Sequence, residues 1–312
     1  MPDLEKVAYV FPGQGSQKVG MGRDLYDNYQ SARDVFNKAD EILGFSLSKL
    51  CFEGPEDELR QTINAQPALV TMSMACYQSA VSRQASSKVR IPAFLAGHSL
   101  GEYTALVIAG VLDFPTTVFL ARERGRLMFE AGQKVPGVMA AILGLDETSL
   151  NDICQKTGTW LANINCPGQL VISGIKENIE KAIELAKSRG AARALPLQVS
   201  GAFHSPLMQP AADGLTAIIN RLSFSNPSIP IIANTSAEPL TSSRAIKDEL
   251  IQQLTHSVQW QRSVEVMIKN NVATFIEIGP GNVLSGLIKR VDKAIKTLNV
   301  GTLGELDNLN AT

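Results

Sequence analysis

The chain has 312 residues, of which 45% are hydrophobic and 19% charged, a composition typical of a soluble globular protein with a large core. The net charge of −1 gives no electrostatic basis for nucleic acid or an anionic membrane as the main partner. The four cysteines are irregularly spaced without a CxxC pair, so we expect reduced buried thiols and no metal site. The N-terminus lacks a signal-peptide pattern, and every apolar run is far shorter than the roughly 20 residues of a membrane span, which predicts a cytoplasmic protein.

Apolar spacing, with breaks at glycine and proline, predicts strands alternating with helices along most of the chain. A strand at 6–11 opens into a glycine-rich loop, and the apolar run 91–96 precedes the pentapeptide 97-GHSLG-101. Further strands are expected at 229–234 and 272–279, and the second of these leads into a turn and another helix. Helices are expected at 24–43, 68–85, 102–112, 115–131, 211–222, 244–254 and 258–270. Such alternation favours a largely parallel sheet covered on both faces.

Between residues 133 and 199 the order of the elements changes to β-α-β-β-α-β, which is that of the split ferredoxin-like unit. Its expected elements are a strand at 137–145, a helix at 146–158 with Asp146 as N-cap and Gly158 as stop, strands at 160–166 and 169–174, a helix at 176–190 and a strand at 192–199. We therefore predict an α/β fold with a hydrolase-like large domain of mainly parallel sheet, formed by residues 1–132 and 200–312. A ferredoxin-like small subdomain at 133–199 is inserted into it.

The pentapeptide 97-GHSLG-101 fits the G-x-S-x-G pattern of a nucleophile elbow, a sharp turn between a strand and a helix. Glycines allow the close backbone approaches of such a turn. The turn would expose the Ser99 hydroxyl, with the following N–H groups facing a developing oxyanion. The alternative is a glycine-flanked turn without a catalytic role, but the flanking strand and helix favour a nucleophile.

A nucleophilic serine needs a base, and the chain has only three histidines. His98 adjoins Ser99, and neighbouring positions on an elbow point apart, so we expect its ring to pack or bond within the turn. His204 lies in the turn-prone segment 200-SGAFHSP-206, which could overhang a site. His256 precedes a helix and suits a capped surface position. Position along the chain therefore favours His204 as the base.

A Ser-His-Asp enzyme would also need a carboxylate before the histidine, and none stands in a suitable loop. Asp213 and Asp248 lie in helical segments and are expected to be solvated. A neutral acceptor such as a backbone carbonyl could orient the imidazole instead. The helix after the elbow carries three arginines on different faces, in 122-RERGRLM-128. At least two should be solvated, while one facing the site could bind a carboxylate with two hydrogen bonds, as a dicarboxylic acyl group would require.

Taken together, these motifs resemble those of malonyl-CoA:acyl carrier protein transacylases, which supply malonyl groups to fatty acid synthesis and are related to polyketide synthase acyltransferases. The resemblance extends from about residue 6 to about residue 300, and the segment 301–312 is expected to be a loose tail. The matching stretches are 11-FPGQGSQ-17, 97-GHSLGEYTAL-106, 124-RGRLM-128, 163-NINCPGQLVISG-174, 201-GAFHSPLM-208, 258-VQW-260 and 277-EIGPGNVLSGL-287.

The resemblance implies that Ser99 is the nucleophile, His204 the base and Arg124 the group that binds the malonyl carboxylate. It also implies that the main-chain carbonyl of Gln259 orients the base, in place of the missing carboxylate. His256 stands where the family often has a proline, and it has no assigned role.

The backbone N–H groups of Gln14 and Leu100 would form the oxyanion hole, with the Gln14 side chain near the acyl group. Phe203, directly before the base, departs from the pattern of many discrete fatty acid enzymes. It resembles the pattern of malonyl-selective polyketide acyltransferases more closely. Its ring would crowd a branched acyl group, which supports malonyl as the substrate. Asn163 and Asn165 border the expected cleft and suit hairpin turns and ligand contacts about equally.

The predicted reaction is transfer of a malonyl group from malonyl-CoA to the phosphopantetheine thiol of holo acyl carrier protein through a malonyl-serine. We expect no metal, no bound cofactor, and neither nucleic acid nor membrane as a partner. The alternatives are a discrete polyketide synthase acyltransferase, a serine esterase or thioesterase that shares the elbow, and a non-catalytic module that binds carrier protein. Lys187, Arg189 and Arg193 could face an acidic carrier protein, but solvated surface charges are the favoured interpretation.

Overall fold

The computed structural model describes residues 6–83 and 91–309. The strands, β1 to β10, are Lys6–Phe11, Phe94–Gly97, Gly137–Leu143, Trp160–Cys166, Gln169–Ile175, Arg193–Pro196, Ile231–Ile232, Pro239–Leu240, Val272–Ile278 and Lys296–Val300. The helices, α1 to α14, are Arg23–Asn28, Gln30–Leu43, Leu47–Glu53, Glu56–Arg60, Thr62–Arg83, Gly101–Ile108, Phe114–Lys134, Glu147–Thr157, Lys176–Ser188, Gln209–Ile219, Ser243–Gln253, Trp260–Lys269, Val283–Val291 and Leu303–Leu309.

The larger sheet has the strand order β10-β9-β1-β2-β7-β8, and all neighbours are parallel except β7 and β8. Alternate residues of its central strand β1 enter two different cores. Val7 and Phe11 pack with residues of α2, α5 and α7, whereas Ala8 and Val10 pack with residues of α12 and α13. Helices therefore cover both faces, which explains why the buried strands read as nearly continuous apolar runs.

The smaller sheet is antiparallel, with the order β4-β5-β3-β6, and α8 and α9 pack on it. The chain order β3-α8-β4-β5-α9-β6 is the β-α-β-β-α-β order expected from the sequence. Asp146 caps α8 by accepting the Ser149 N–H at 2.7 Å, and Gly158 ends that helix in the left-handed region. The two sheets confirm the predicted fold class, whereas the exact division of the chain at residues 133 and 199 stays a prediction.

A single extended residue of the larger unit joins the smaller sheet. The Val258 N–H donates to the Ala162 carbonyl at 2.8 Å, and the Ile164 N–H donates to the Val258 carbonyl at 2.9 Å. This pairing fixes β4 beside the segment that precedes α12.

Two predicted helices differ most from those in the structure. The helix expected at 24–43 is divided at Tyr29, whose backbone is extended, and the Arg33 guanidinium donates to the Tyr26 and Asp27 carbonyls left free at the end of α1. The helix expected at 68–85 begins six residues earlier, at Thr62, and continues through Pro67; residues 84 and 85 lie outside the described residues.

Helix α5 tolerates its internal proline because a side chain replaces the missing donor. Pro67 has no N–H, which leaves the carbonyl of Ile63 four residues earlier without its helical partner. The Arg122 guanidinium on α7 donates to that carbonyl at 2.9 Å. This bond ties α5 to α7, the two long helices that flank the elbow.

The prediction of a loose tail at 301–312 is wrong for the residues that the structure describes. Helix α14 occupies Leu303–Leu309 and packs on β10. Leu306 is only 1% exposed, and the Leu303 N–H donates to the Asp24 carboxylate at 2.7 Å. Residues 310–312 lie outside the described residues.

Replacing Leu306 with alanine should lower the free energy of unfolding by about 2–3 kcal/mol, since the change opens a cavity under α14. Urea denaturation measures the change. The matched control is Gly304→Ala in the same helix, where an added Cβ meets no atom within 4 Å, and it should leave stability unchanged or slightly higher. Equal stability of Leu306→Ala and the parent protein would mean that the helix does not dock.

Candidate active site

Ser99 lies on the tight turn between β2 and α6, and its φ of 51° is in the left-handed region that non-glycine residues seldom adopt. The flanking glycines make the turn possible. A Cβ on Gly97 would lie 1.9 Å from the Gly101 carbonyl carbon, and one on Gly101 would lie 2.0 Å from the Phe11 carbonyl oxygen. Strained conformations of this kind persist only where the surroundings hold them. The structure therefore contains the elbow that the pentapeptide predicts.

Two amide side chains from distant segments hold the elbow in place. The Ser99 N–H donates to Asn234 Oδ1 at 2.7 Å, and Asn234 Nδ2 donates to the Gly97 carbonyl at 2.8 Å. On the other side of the turn, Gln253 Nε2 donates to the Ser99 carbonyl at 3.1 Å. Sequence analysis missed both amides, because an Asn after a short strand and a Gln at a helix end carry no distinguishing pattern.

His204 reaches the nucleophile from the segment after β6. Its Nε2 lies 2.8 Å from Ser99 Oγ, and its Nδ1 lies 2.9 Å from the Gln253 carbonyl oxygen. A carbonyl oxygen can only accept, so Nδ1 carries the hydrogen and the Nε2 lone pair faces the serine hydroxyl. The backbone φ of His204 is 56°, a second strained position at the same place.

The prediction that the Gln259 carbonyl orients His204 is wrong. That carbonyl accepts the Ser263 N–H at 2.9 Å, as expected for the residue that begins α12. The acceptor on His204 is instead the Gln253 carbonyl at the end of α11, where the last helical carbonyls lack intrahelical partners. A backbone carbonyl replaces the acid of a triad, as the sequence indicates, but it belongs to a different glutamine.

His204 is only 4% exposed, and this burial lowers its pKa to about 3; the positive charge of Arg124 adds to the effect. The imidazole is therefore neutral at physiological pH. A neutral imidazole with its Nε2 lone pair on a hydroxyl is ready to accept that proton.

The other two histidines are not placed to act as the base. The His98 ring lies 5.7 Å from that of Trp260 and pairs through Nε2 with Asn165 Oδ1 at 2.9 Å, and burial lowers its pKa. It thus reaches from the elbow to β4 of the smaller sheet. His256 is exposed, and its Nδ1 lies 2.9 Å from the Gln252 carbonyl. Position in the sequence had favoured His204, and the geometry agrees.

Arg124 is the arginine of α7 that faces Ser99, and it is only 1% exposed. Its Nη1 donates to Gln66 Oε1 at 2.8 Å, and its Nη2 donates to Gln253 Oε1 at 2.9 Å and to Ser99 Oγ at 3.1 Å. Its partners are neutral, its Nε has none, and within the described ranges Arg124 forms no ion pair. Burial lowers its pKa. A buried cation without an ion pair is a candidate binding site for an anion beside the nucleophile.

The neighbouring arginines have other partners. Arg122 binds the Ile63 carbonyl as described above, and Arg126 forms ion pairs with Glu123 and Glu130 on the surface of α7. The sequence left open which of the three faces the site. The structure places only Arg124 there.

Two backbone N–H groups at the cavity are free to bind an oxyanion. Gln14 follows β1 and Leu100 begins the turn into α6, and both line the cavity that contains Ser99. Within the part of the chain that the structure describes, neither N–H has an acceptor. The Gln14 side chain is fixed separately, because Thr62 Oγ1 donates to its Oε1 at 2.9 Å.

The cavity has a volume of about 400 Å³ and is also lined by Phe203 and Asn163. Phe203, directly before the base, is 5% exposed and packs in the main core. Asn163 Oδ1 is buried without a hydrogen-bond partner among the described residues, whereas Asn165 is occupied by His98. Of the two asparagines, only Asn163 is a lining residue of the cavity.

Two buried carboxylates beside the site escaped sequence analysis. Glu102 is completely buried in the first turn of α6, and Glu249 is buried on α11. By contrast, Asp213 and Asp248 are exposed, as their helical positions predicted. Glu102 stands directly after the elbow in 97-GHSLGE-102, but nothing in the sequence shows that it points inward.

Across residues 6–83 and 91–309, no group of three or more His, Cys, Asp or Glu side chains is arranged to hold a metal ion. In the same ranges, no helix has the length and hydropathy needed to cross a bilayer. The four cysteines are free and buried, as their spacing predicts, and burial raises the pKa of each thiol.

Comparison with known proteins agrees with this geometry along the whole fold. The family model described as "Acyl transferase domain" matches residues 8–305. The malonyl CoA-acyl carrier protein transacylase of Bacillus subtilis (strain 168) is 47% identical over 302 residues, which are 95% of this chain and 94% of that protein.

Solved structures give the same result. The acyl carrier protein S-malonyltransferase of Vibrio cholerae superposes with a TM-score of 0.92 at 44% identity, over 97% of this chain and 99% of that one. A malonyl-transacylase solved in complex with its type II polyketide synthase acyl-carrier protein superposes with a TM-score of 0.94 at 40% identity, over 98% of this chain and 100% of that one.

Proposed function

This chain belongs to the family described as "Acyl transferase domain", and we propose that it transfers malonyl from malonyl-CoA to the phosphopantetheine thiol of an acyl carrier protein. The intermediate in this proposal is a malonyl ester on Ser99. One observation carries it: a buried arginine without an ion pair, Arg124, lies 3.1 Å from Ser99 Oγ. Such a cation suits an acyl group that ends in a carboxylate.

The first half-reaction begins when His204 Nε2 accepts the Ser99 hydroxyl proton while Oγ bonds to the thioester carbonyl carbon. The hydrogen bond from Arg124 to Oγ favours the developing negative charge on that oxygen. The carbon–sulfur bond then breaks, and the proton on His204 passes to the departing sulfur. CoA leaves as the thiol, and malonyl-Ser99 remains.

The second half-reaction is the same sequence in reverse with a different thiol. His204 Nε2 accepts the proton of the phosphopantetheine thiol, and the sulfur bonds to the malonyl ester carbon. The bond from that carbon to Ser99 Oγ breaks, and His204 returns the proton to Oγ. The products are malonyl-carrier and free Ser99, so the steps balance without another reactant.

Both half-reactions pass through a tetrahedral oxyanion, which the free N–H groups of Gln14 and Leu100 would bind. These two N–H groups lie on two separate segments, the loop after β1 and the turn after β2. Loss of one such donor typically slows acyl transfer by about 10²-fold or more.

Arg124 and Phe203 would set the choice of acyl group. An acetyl group would leave the buried guanidinium unpaired, which costs roughly 1–3 kcal/mol. The Phe203 ring in the cavity wall would crowd a substituent on the malonyl α-carbon. Malonyl satisfies both constraints, because it carries a carboxylate and no branch.

The proposed steps use groups of this chain and two substrates, malonyl-CoA and the phosphopantetheine thiol of the carrier protein, with neither metal nor bound cofactor as reactant. We also propose that the protein is cytoplasmic and that neither nucleic acid nor a membrane is its partner. Residues 133–199 would form a separate subdomain. Lys187 and Arg193 are exposed and available to an acidic carrier protein, whereas Arg189 is paired with Asp152.

A second candidate function concerns the pathway rather than the chemistry. The likeness to a malonyl-transacylase solved with a polyketide synthase carrier favours a role in supplying such a carrier. The other pathway is fatty acid synthesis, which the resemblance of the sequence motifs implies. Comparing kcat/KM for purified carriers of the two pathways from the same cell distinguishes them.

The rival reaction is hydrolysis, since an esterase or thioesterase shares the elbow. The experiment is a product analysis with malonyl-CoA and either holo or apo carrier protein. We expect malonyl-carrier with the holo form alone, and little free malonate with either. Malonate as the main product in the presence of holo carrier would identify a hydrolase.

The pKa of His204 predicts an unusual pH profile. The rate of malonyl-Ser99 formation should change less than about threefold between about pH 8 and pH 5, because the imidazole stays neutral well below the ordinary histidine range. Quenched single-turnover mass measurements follow the rate. A histidine with an ordinary pKa would lose nearly tenfold per unit below about pH 6.5, and that profile would contradict the assignment.

The same shift affects stability. Below about pH 6.5 the unfolded chain protonates this histidine, whereas the folded protein does so only near pH 3. The unfolded state thus binds more protons in that interval. The free energy of unfolding should therefore decrease as the pH falls from about 6.5 towards 3.

A further inference from the structure

Glu102 is a completely buried carboxyl group that the proposed reaction does not use. It is the second residue of α6, one turn of chain away from the nucleophile. One carboxyl oxygen, Oε2, accepts from the amide nitrogens of both Asn234 and Gln253, the latter at 2.8 Å. These are the two amides that hold the Ser99 backbone.

The direction of these hydrogen bonds determines how the Asn234 and Gln253 amides are oriented. An amide side chain has a donor end and an acceptor end, and either could face a given neighbour. Oε2 is an acceptor, so it turns the nitrogen ends of Asn234 and Gln253 towards itself. Their oxygen ends must then point the other way.

The opposite ends of the two amides serve the site. Asn234 Oδ1 accepts the Ser99 N–H at 2.7 Å, and Gln253 Oε1 accepts from Arg124 Nη2 at 2.9 Å. With either amide reversed, an NH₂ group would face the backbone N–H or the guanidinium, and both pairs would be donor against donor. The Gln253 carbonyl also accepts from His204, so this residue contacts the serine, the arginine and the histidine.

We propose that Glu102 is a positioning residue whose Oε2 fixes the amide orientation of Asn234 and Gln253, and through them the geometry of Ser99 and Arg124. This proposal rests on the proposed function. The Gly97 and Ser99 carbonyls accept from the same two nitrogens, and Oε2 is the one acceptor that both amides share.

The orientation does not depend on whether Glu102 is ionised. Burial, together with the neighbouring carboxyl of Glu249, raises the pKa of Glu102 well above its usual range. Its other oxygen, Oε1, has no hydrogen-bond partner among the described residues. A proton carried there leaves Oε2 as an acceptor, and both amides keep their orientation.

The test compares three substitutions at this position. Glu102→Met removes the acceptor, Glu102→Asp withdraws it by one methylene, and Glu102→Gln retains a carbonyl oxygen in its place. The readouts are the rate of malonyl-Ser99 formation per folded molecule and the ratio of kcat/KM for malonyl-CoA to that for acetyl-CoA. A structural role alone would lower the amount of folded protein but leave this ratio unchanged.

We expect Glu102→Met and Glu102→Asp to lower malonyl kcat/KM by about 10²-fold and the malonyl-to-acetyl ratio by about tenfold, since small misplacements have effects of this size. Glu102→Gln should recover the ratio to within about threefold, because one oxygen suffices. Should Glu102→Met fail to fold, the malonyl-to-acetyl ratios of Glu102→Asp and Glu102→Gln still test the proposal.

Glu277 provides the matched control. It is equally buried, and its carboxylate accepts the N–H groups of Leu284 and Ser285 at 3.0 and 2.7 Å, outside the Glu102 network. Glu277→Met should lower the melting temperature and leave the ratio unchanged. An unchanged ratio in folded Glu102→Asp, or a Gln variant as defective as Asp, would overturn the proposal. If the parent protein forms no malonyl-Ser99 at all, the proposed function fails instead.

Discussion

Replacement of His204 by alanine should slow the formation of malonyl-Ser99 by about 10³-fold, within the range that a positioned general base contributes. The substitution leaves Ser99 Oγ with the Arg124 donor and without any acceptor for its proton. The measurement is the rate at which the intact protein gains the mass of a malonyl group after mixing with malonyl-CoA.

His256→Ala is the control for this variant, because His256 is exposed and bonded to its own helix end. It should acylate at the parent rate. Normal acylation of His204→Ala would remove this residue from the role of base, and a slow His256→Ala would transfer the role there.

Replacement of Arg124 by alanine should lower the malonyl-to-acetyl ratio of kcat/KM by about 10²-fold, since the carboxylate loses a charge-assisted, desolvated partner. Malonyl transfer should fall steeply, and acetyl transfer should fall less or even increase. Both rates are measured with the same holo carrier protein, so that the acceptor step is common to them.

Arg126→Ala on the same helix is the matched control, because Arg126 pairs with Glu123 and Glu130 on the surface. Surface pairs of this kind contribute little, and its ratio should equal that of the parent. If Arg124→Ala kept the malonyl preference, the buried cation would not be the carboxylate site.

The fold was predictable from the sequence wherever elements have a strong period and clear ends. The β-α-β-β-α-β unit was found because Asp146 and Gly158 mark the two ends of α8, and a Pro-Gly turn separates β4 from β5. The break at Tyr29 was not predictable, because no glycine or proline stands there, and the carbonyl of Tyr26 near the end of α1 is bound by the Arg33 side chain seven residues away.

The C-terminal segment shows the same limit of prediction from sequence, here for a helix that was not expected. Helix α14 has seven residues, about two turns, and is too short to distinguish from a loop by periodicity. Its stability comes from packing Leu306 into the main core and from the Asp24 carboxylate at its first N–H. Tertiary contacts of this kind are invisible in a local pattern.

The candidate site also contains residues that could be predicted from the sequence and residues that could not. Ser99 and Arg124 lie in local motifs, and His204 could be favoured among only three histidines. Gln253 contributes a backbone carbonyl to His204 and an amide to Arg124, and neither role leaves a signature at residue 253 in the sequence. The prediction that the Gln259 carbonyl orients His204 was wrong for this reason, since every residue carries a backbone carbonyl.

The most direct test of the proposed mechanism is the intact mass of the protein after malonyl-CoA is added, and again after carrier protein is added. The parent protein should gain one malonyl group, lose it to holo carrier, and keep it in the presence of apo carrier. Ser99→Ala should gain nothing. A malonyl gain that survives in Ser99→Ala, or a parent protein that never gains the group, would contradict the account.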